Sequence, residues 1–323
     1  MGVNNTIEEI IALIKEQDNF LLIGHIIPDG DCVGSLLGMY WGLKSLGKQV
    51  TITLQDEVPF LYDFLSGVDK IQPLEKIQSN SVVIFLDCSD KYRAGDDFPD
   101  QITETRLTVN IDHHPSNDFF ADYNYVDDTS VATAELVYRI LVALDVKITV
   151  DMAEAIYTGI VMDSGNFLYN NTSPRTMRIA ADLLECGTDI EKIRTNLFES
   201  KPRAEVLLLR KGLKNLEFDS TGRMAWMTLS AQEVEAAGAT GIHPEGIINY
   251  TRSIKGVEIG MLFRETSPGM VKVGFRSKGS LDVAELALKL GGGGHQQAAG
   301  AHVKGSLAEV KAQVLGMAKD VLD

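Results

Sequence analysis

The chain has few cysteines and no long apolar run. These two features argue against a disulfide-stabilised protein and against a membrane-spanning protein. Its 323 residues include 3 cysteines, an odd number that predicts free thiols in a reducing compartment, so we expect a cytoplasmic protein without a disulfide framework. No apolar run reaches the roughly 18 residues of a membrane span, so we expect no membrane association. The N-terminal segment also lacks the charged start and apolar stretch that are typical of a secretory signal.

Basic residues are scarce in the first part of the chain. Residues 1–190 contain 30 acidic and 12 basic residues, a net charge of −18, whereas residues 191–323 contain 15 acidic and 18 basic residues, a net charge of +3. The overall charge of −15 argues against long duplex nucleic acid as a partner, because such a ligand requires many phosphate-neutralising cations. The acidic part is suited to metal cations, and the mildly basic part is suited to an anionic ligand of modest size.

The first part predicts an α/β domain. Short and almost entirely apolar segments that predict buried strands occur at 20–24, 50–54, 82–86 and 107–111, and helical patterns occur at 6–17, 32–47, 130–145, 151–162 and 174–187. Strands that are apolar on both faces are typical of a parallel sheet covered by helices. We therefore predict an open parallel sheet with helices on both faces over residues 1–187. Ligands of such sheets bind beyond the carboxyl ends of the strands.

The second part has a different pattern. Residues 188–217 predict one or two polar helices that act as a linker. Strand-like segments follow at 223–229, 257–265 and 270–277, and two capping boxes, Ser230 with Glu233 and Ser306 with Glu309, predict helix starts. We therefore predict a smaller α+β domain over residues 218–323, which agrees with the two domains that the chain length favours.

Carboxylates and histidines cluster after the predicted strands of the acidic part. These residues are His25, Asp29 and Asp31 after the first strand, Asp87 and Asp90 after the third, Asp112, His113 and His114 after the fourth, and Asp163 at the end of an apolar helix. A single aspartate after a strand is most often a turn residue or a cap, and we expect Asp90 to be one. The convergence of the others at one sheet edge instead predicts a two-metal site. Carboxylates packed this closely repel one another unless cations neutralise them, and two ions can clamp a phosphoryl group.

Two motifs resemble a known family. The Asp112-His113-His114 triplet, preceded by HIIPDGD at 25–31, resembles the DHH phosphoesterase superfamily. The sequence GGGGHQQAAG at 291–300 resembles the signature of the DHHA1 domain that often follows in that family. The size of the chain and the pairing of these domains are most similar to the type that acts as a nanoRNase and as a 3′-phosphoadenosine-5′-phosphate (pAp) phosphatase.

The resemblance implies an activity and a set of site residues. It implies a manganese-dependent enzyme, with Mg²⁺ possible, that hydrolyses short single-stranded RNA to mononucleotides and pAp to AMP. The resemblance implies that one Mn²⁺ is held by His25, Asp29 and Asp87, and the other by Asp31, Asp87, His113 and Asp163. Asp87 therefore bridges both ions. The resemblance also implies that Asp87, His113 and His114 are the catalytic residues, of which His114 either contacts the scissile phosphate or orients a ligand.

The second domain is implied to bind the rest of the substrate. Backbone amides of Gly292, Gly293 and Gly294 can wrap a phosphate, because glycine leaves them exposed, and His295 can donate to a phosphate oxygen or stack on a base. Candidate substrate-binding residues also include Arg264, Arg276 and Ser277, since a planar guanidinium suits bidentate phosphate contact. Both arginines are equally compatible with solvated strand positions.

Three other functions fit part of the pattern. A cyclic di-AMP or pApA phosphodiesterase would use the same metal site, and its membrane-bound relatives carry transmembrane segments that are not found in this sequence. A manganese inorganic pyrophosphatase would require a lysine- and arginine-rich second domain in place of GGGGHQQAAG. A non-catalytic nucleotide-binding regulator would have lost metal ligands, whereas all of the expected residue types are present.

Overall fold

The computed structural model describes residues 2–73, 82–95, 107–240 and 246–322, except for the side chain of His295. The chain divides into two compact units, Met1–Ser200 and Lys201–Asp323. The division falls inside the predicted linker, and the two helices of that segment belong to one unit each. Among the described residues, no helix combines the length and the apolar character that a membrane span requires.

The described part of the first unit contains a six-stranded sheet in which all neighbouring strands are parallel. The strands are β1 (Asn19–Ile23), β2 (Gln49–Leu54), β3 (Ile71–Pro73), β4 (Val82–Leu86), β5 (Leu107–Asp112) and β6 (Tyr123–Val126). The helices are α1 (Ile7–Glu16), α2 (Gly30–Ser45), α3 (Thr133–Ala143), α4 (Val150–Asp163), α5 (Pro174–Glu185) and α6 (Ile190–Phe198). Short 3₁₀ helices occur at Phe60–Tyr62, Val68–Lys70 and Lys91–Ala94.

The strand order locates a ligand crevice. The order is β3-β2-β1-β4-β5-β6. Strands β2 and β3 therefore lie on one side of β1, and strands β4, β5 and β6 follow one another on its other side. In open α/β sheets, the reversal between two such neighbours leaves a crevice at their carboxyl ends, where ligands bind. The loops that follow β1 and β4 contain the first two groups of candidate ligands.

The strands of this sheet are buried on both faces, as predicted. On one face, Leu22 of β1 lies beside Ile52 of β2 and Ile84 of β4, and these residues join the main apolar cluster with the helices. On the other face, Phe85 and its neighbours form a smaller cluster that includes Phe120. The side chains alternate between the two clusters because successive residues of a strand point to opposite faces.

Helix α2 is buried along most of its length because glycines allow it to approach α4 closely. A Cβ atom at Gly34 would lie 2.3 Å from the carbonyl oxygen of Ala155 in α4. A Cβ atom at Gly159 of α4 would lie 2.8 Å from Oδ1 of Asp31 in α2. The helix that contributes Asp31 is therefore held in a crossing that tolerates no extra side-chain atom.

Two strands of the first unit's described sheet, β3 and β6, lie outside the segments predicted from the sequence. Strand β3 has three residues and ends at Pro73, so it is too short to show an alternating pattern. Strand β6 is an edge strand in which Tyr125 is buried within the main core and Asn124 is also buried. Tyr125 is therefore a packing residue.

The described part of the second unit contains a six-stranded mixed sheet in the order β11-β12-β10-β9-β8-β7. Its strands are β7 (Leu216–Phe218), β8 (Met224–Leu229), β9 (Ile259–Ser267), β10 (Met270–Ser277), β11 (Gly293–His295) and β12 (Ala298–Lys304). Its helices are α7 (Arg203–Lys214), α8 (Ala231–Ala236), α9 (Asn249–Arg252), α10 (Ala284–Lys289) and α11 (Leu307–Leu322). Strands β8 and β9 are parallel, and the other neighbouring pairs are antiparallel.

The glycine run at 291–294 is partly a strand. Gly293 and Gly294 form the strand β11 together with His295, and all three residues pair with residues of β12. A Cβ atom at Gly292 would lie 2.1 Å from the carbonyl oxygen of Gly300. Gly292 and Gly294 are therefore required for close approach of two backbones, a tertiary constraint that the sequence pattern does not distinguish from loop flexibility.

Candidate active site

Three ends of parallel strands contribute to one cluster of polar side chains. His25 follows β1, Asp87 follows β4 and His113 follows β5. Asp87 has a left-handed backbone with φ of +64°, which costs a non-glycine residue about 1 kcal/mol or more and is typical of functional sites. The cluster lies at the sheet edge predicted from the sequence.

The candidate ligands form overlapping groups whose ligand atoms lie within 4.8 Å of one another. The groups among the described residues are His25 with Asp29 and Asp87, Asp31 with His113 and Asp163, and Asp87 with His113 and His114. The first group equals one predicted ligand set, and the second group contains the other set apart from Asp87. Asp87 belongs to two groups, which is the arrangement expected of a bridging carboxylate.

His25 is oriented by the backbone. Its Nδ1 lies 2.8 Å from the carbonyl oxygen of Ile26, which accepts the ring N–H. Its Nε2 is thereby directed to the carboxylates, 3.3 Å from Oδ2 of Asp87 and 3.7 Å from Oδ1 of Asp29. Histidine ligands of metals usually donate the second ring N–H to a carbonyl or a carboxylate in this way.

His113 provides the clearest test of whether a cation fits. Its Nδ1 lies 3.3 Å from the carbonyl oxygen of Ser130, and its buried Nε2 has no hydrogen-bond partner. That Nε2 lies 3.2 Å from Asp163, 3.7 Å from Asp87 and 3.8 Å from Asp31. Buried polar atoms without a partner are uncommon, and a nitrogen among three carboxylates is suited to a divalent cation. The residues present therefore fit a metal site.

Asp31 is fully buried and caps a helix from outside that helix. Its carboxylate accepts hydrogen bonds from the backbone amides of Thr133 at 2.6 Å and Ala134 at 2.8 Å. The N-cap residue Ala132 offers no side-chain acceptor, so Asp31 satisfies amides that are otherwise left without a partner at a helix start. These bonds fix the position of the Asp31 carboxylate. Burial, together with the nearby carboxylates, raises the pKa of Asp31 well above the usual range.

The pKa values reflect the concentration of charge. Burial would lower the pKa of His25, but hydrogen bonds with Asp29 and Asp87 raise it to about 11. Burial raises the pKa of Asp163 to about 6, although the neighbouring imidazole of His113 opposes that rise. In the absence of a cation, protons on the imidazoles therefore compensate the carboxylates, and a divalent cation would take over that role.

His114 is held by a network that the sequence reasoning did not identify. Its Nδ1 lies 2.7 Å from Oδ1 of Asp112, whose other oxygen accepts from Nδ2 of Asn117 at 2.6 Å. Asn117 in turn donates to Oδ1 of the buried Asn110 at 2.7 Å. An asparagine within the otherwise apolar strand LTVNI was the available signal, because a buried polar side chain requires partners.

Thr133 is a second residue that the sequence reasoning missed. Its hydroxyl donates to Oδ1 of Asp87 at 3.1 Å, and its backbone amide donates to Asp31. The only sequence signal was a threonine near the start of a predicted helix, which is common at helix starts. Arg175 contributes farther out, donating to the hydroxyl of Ser130 and to the buried Glu135.

Asp29 and Asp90 are both helix N-caps, and Asp29 also lies in a ligand group. Asp29 is the N-cap of α2 and accepts from the amides of Asp31 and Cys32 at 3.0 and 3.1 Å. Asp90 accepts from the amides of Tyr92 and Arg93 at the start of a 3₁₀ helix. The prediction that Asp90 caps the next segment is confirmed.

The second unit contains a cavity of about 310 Å³ on the sheet face opposite its main core. Of the predicted substrate-binding residues, Arg264, Arg276, Gly293 and Gly294 line it. Gly292 does not line it, and the side chain of His295 lies outside the described residues.

Ser277 lies on the other face of strand β10 from Arg276, because side chains alternate along a strand. Its buried hydroxyl donates to the carbonyl oxygen of Leu281 at 2.7 Å. The structure therefore places Ser277 away from the described cavity lining.

Two family models match the chain. The model described as the DHH family, N-terminal domain matches residues 19–160, and the model of the DHHA1 domain matches residues 229–323. The first match contains β1 through most of α4, with every candidate ligand except Asp163. The second match contains the strands that line the cavity.

Named relatives cover most of the chain. The bifunctional oligoribonuclease and PAP phosphatase NrnA of Thermus thermophilus is 33% identical over 87% of this chain and 83% of its own length. The protein of the same name from Mycoplasma pneumoniae is 30% identical over 93% of this chain and 92% of its own. An exopolyphosphatase-related protein of known structure from Bacteroides fragilis is 26% identical, with a TM-score of 0.91 over 98% of this chain and 97% of that chain.

Proposed function

This chain belongs to the DHH family of phosphoesterases, and we propose that it hydrolyses short single-stranded oligoribonucleotides to mononucleotides and pAp to AMP. Its relatives from T. thermophilus and M. pneumoniae are named for both activities. The observation that carries the proposal for this chain is the set of overlapping ligand groups around Asp87.

The donor set supports two divalent cations, with Mn²⁺ favoured and Mg²⁺ possible. Carboxylate oxygens suit both ions, whereas the imidazoles of His25 and His113 move the preference toward Mn²⁺. One ion would be held by His25, Asp29 and Asp87, and the other by Asp31, Asp87, His113 and Asp163. Such ions, when bound, supply a water of lowered pKa and stabilise charge on a phosphoryl group.

The protein side chains have separate tasks in this proposal. Asp87 joins the two groups of ligands, and the hydroxyl of Thr133 fixes one of its oxygens. His114, oriented by Asp112, is placed to donate to a phosphate oxygen of the substrate. We assign catalysis to Asp87, His113 and His114, and binding of the nucleotide to the second unit through Arg264, Arg276, Gly293 and Gly294.

The proposal is tested by hydrolysis of pAp and of a 5′-labelled RNA ladder of two to five nucleotides, with Mn²⁺, with Mg²⁺ and with EDTA. We expect release of phosphate from pAp and of mononucleotides from RNA, with the highest rate in Mn²⁺ and none in EDTA. Cleavage of neither substrate would contradict the proposal.

Parallel reactions with cyclic di-AMP, pApA and pyrophosphate separate the alternatives. Turnover of only one of these three compounds would support the metal site but would assign the chain a different substrate class. Binding of pAp without any turnover in Mn²⁺ would favour a nucleotide-binding regulator. The expectation of a cytoplasmic location stays a prediction that fractionation of cells would test.

A further inference from the structure

The segment 130–135, which leads into α3 and contributes to its first turn, contacts three candidate ligands of one proposed ion. These ligands are Asp31, Asp87 and His113. The carbonyl oxygen of Ser130 lies 3.3 Å from Nδ1 of His113, whereas the amide and the hydroxyl of Thr133 donate to the two carboxylates. Partners of metal ligands set the orientation of those ligands and their affinity for the ion. The position of this segment therefore affects that ion in particular.

The segment is anchored to the first turn of α5. Glu135, at the end of the segment, is fully buried, and its carboxylate accepts from Nε of Arg175 and from the hydroxyl of Thr176 at 2.9 Å. Arg175 also donates from Nη2 to the hydroxyl of Ser130 at 3.0 Å. One guanidinium therefore bonds to both ends of the segment.

Helix α5 also follows the fourth candidate ligand of the same ion. That ligand is Asp163, the last residue of α4, and its Oδ2 lies 3.2 Å from Nε2 of His113. Arg175 therefore ties the part of the chain that follows Asp163 to the segment that orients His113. The contact between Arg175 and Glu135 completes a closed ring of contacts around this one group of ligands.

Stability alone does not explain the pair of Glu135 and Arg175. The desolvation of a buried carboxylate largely offsets the attraction to its partner, so that neutral residues of similar size are often equally stable. The side chain of Arg175 is also 39% exposed, so water screens the attraction further. What the pair adds is orientation, because a planar guanidinium bonds Glu135 and Ser130 in one fixed geometry.

The ligands of the other proposed ion have separate supports. The carbonyl oxygen of Ile26 accepts from His25, and the N–H of the same peptide, at Ile27, donates to Asp56 at 2.7 Å. Asp29 is held by the amides of its own helix. Loss of the anchor on α5 therefore leaves these supports in place.

We propose that Glu135 and Arg175 are positioning residues for one of the two ions, and that the other ion does not depend on them. The ion that depends on the pair is the one whose ligands are Asp31, Asp87, His113 and Asp163. The proposal rests on the proposed function, because it concerns the same two-metal site. It assigns neither residue of the pair a contact with an ion or with the substrate.

Metal binding by the full chain tests the assignment. The double variant Glu135→Gln/Arg175→Met removes both charges at similar size, so no buried charge loses its partner, and the free energy of unfolding should stay close to that of the wild type. Calorimetric titration of the metal-free protein with Mn²⁺ should show two ions in the wild type. In the double variant, one ion should bind about 10- to 100-fold more weakly, and the other should bind as before.

Two single variants identify the ion that is weakened. In Asp163→Asn, which already weakens the ion of that ligand, the double variant should add little, because changes that act on one shared interaction are not additive. In His25→Ala, which weakens the other ion, the double variant should also weaken the ion that remains.

Glu154→Gln/Lys192→Met is the matched control, because it neutralises another buried glutamate and its basic partner in the same unit. It should bind both ions as the wild type does. Unchanged Mn²⁺ binding in the double variant of Glu135 and Arg175 would overturn the positioning role, as would an equal weakening of both ions. A wild-type chain that binds fewer than two ions would contradict the proposed metal site itself, so the two failures are distinguishable.

Discussion

The backbone amide of Thr133 donates to the carboxylate of Asp31 at 2.6 Å, although the two residues are 102 positions apart in the chain. The same threonine donates its hydroxyl to Asp87. One residue at the start of α3 therefore fixes candidate ligands from α2 and from the end of β4. Partners of this kind set the orientation of metal ligands and contribute to the affinity for the ion.

Removal of the Thr133 hydroxyl should weaken the site without unfolding it. Thr133→Val keeps the shape and the backbone amide but leaves Asp87 without that donor. We expect a loss of about 10- to 100-fold in Mn²⁺ affinity or in turnover, measured by calorimetry and by pAp hydrolysis. Thr133→Ser keeps the hydroxyl and should stay close to wild type. Equal behaviour of the valine and serine variants would show that the hydrogen bond has no role.

Asp87 and Asp90 offer a comparison between two aspartates that follow the same strand. Asp87→Asn removes charge from a residue shared by two ligand groups, and we expect turnover to fall by more than about 100-fold, beyond the usual cost of losing an outer hydrogen-bond partner. Asp90→Asn should keep nearly full activity, because asparagine is an equally good cap. Retention of more than a few per cent of activity in the first variant would exclude a bridging role for Asp87.

The crossing of α2 and α4 should not tolerate an added methyl group. In Gly159→Ala the new Cβ would lie 2.7 Å from Cβ of Ala134 and 2.8 Å from Oδ1 of Asp31. We expect the free energy of unfolding to fall by about 1–3 kcal/mol, together with a loss of bound Mn²⁺. Gly316→Ala in α11 meets nothing within 4 Å and should instead stabilise the protein by about 0.5–1 kcal/mol. Urea unfolding measures both, and a neutral Gly159→Ala would contradict the close contact.

Metal binding should release protons at neutral pH. The pKa of His25 in the metal-free site is raised to about 11, so its ring is protonated at pH 7, whereas a ligating imidazole must be neutral. Displacement of that proton becomes easier as the pH rises toward the raised pKa, so the apparent affinity for Mn²⁺ should increase with pH. Calorimetric titrations at pH 7 in two buffers of different ionisation enthalpy would count the protons. A heat that is identical in both buffers would contradict the prediction.

The sequence predicted the parallel sheet and the residues that gather at its edge. The segment 82–86 is apolar throughout, and Asp87 follows it directly. Both the buried strand and the charged residue at its end can therefore be recognised from a few consecutive residues. Because parallel strands carry their carboxyl ends to one edge, convergence follows from the fold class alone. The cap at Asp90 was likewise predictable, since a helix start requires an acceptor within a few residues.

The tertiary structure decided what depends on contacts between distant segments. No local sequence pattern indicates that Thr133 donates hydrogen bonds to Asp31 and Asp87, or that Asn117 donates a hydrogen bond to Asp112, the partner of His114.

The same holds for the second unit, where Lys272 and His302 become neighbours of Arg264 only through the register of three strands. The sequence by itself therefore determined the fold class and the candidate ligands, because these depend on local period and chain order. The hydrogen-bond partners that orient the ligands, and the arrangement of charge around the cavity, were decided by packing that joins residues far apart in the chain.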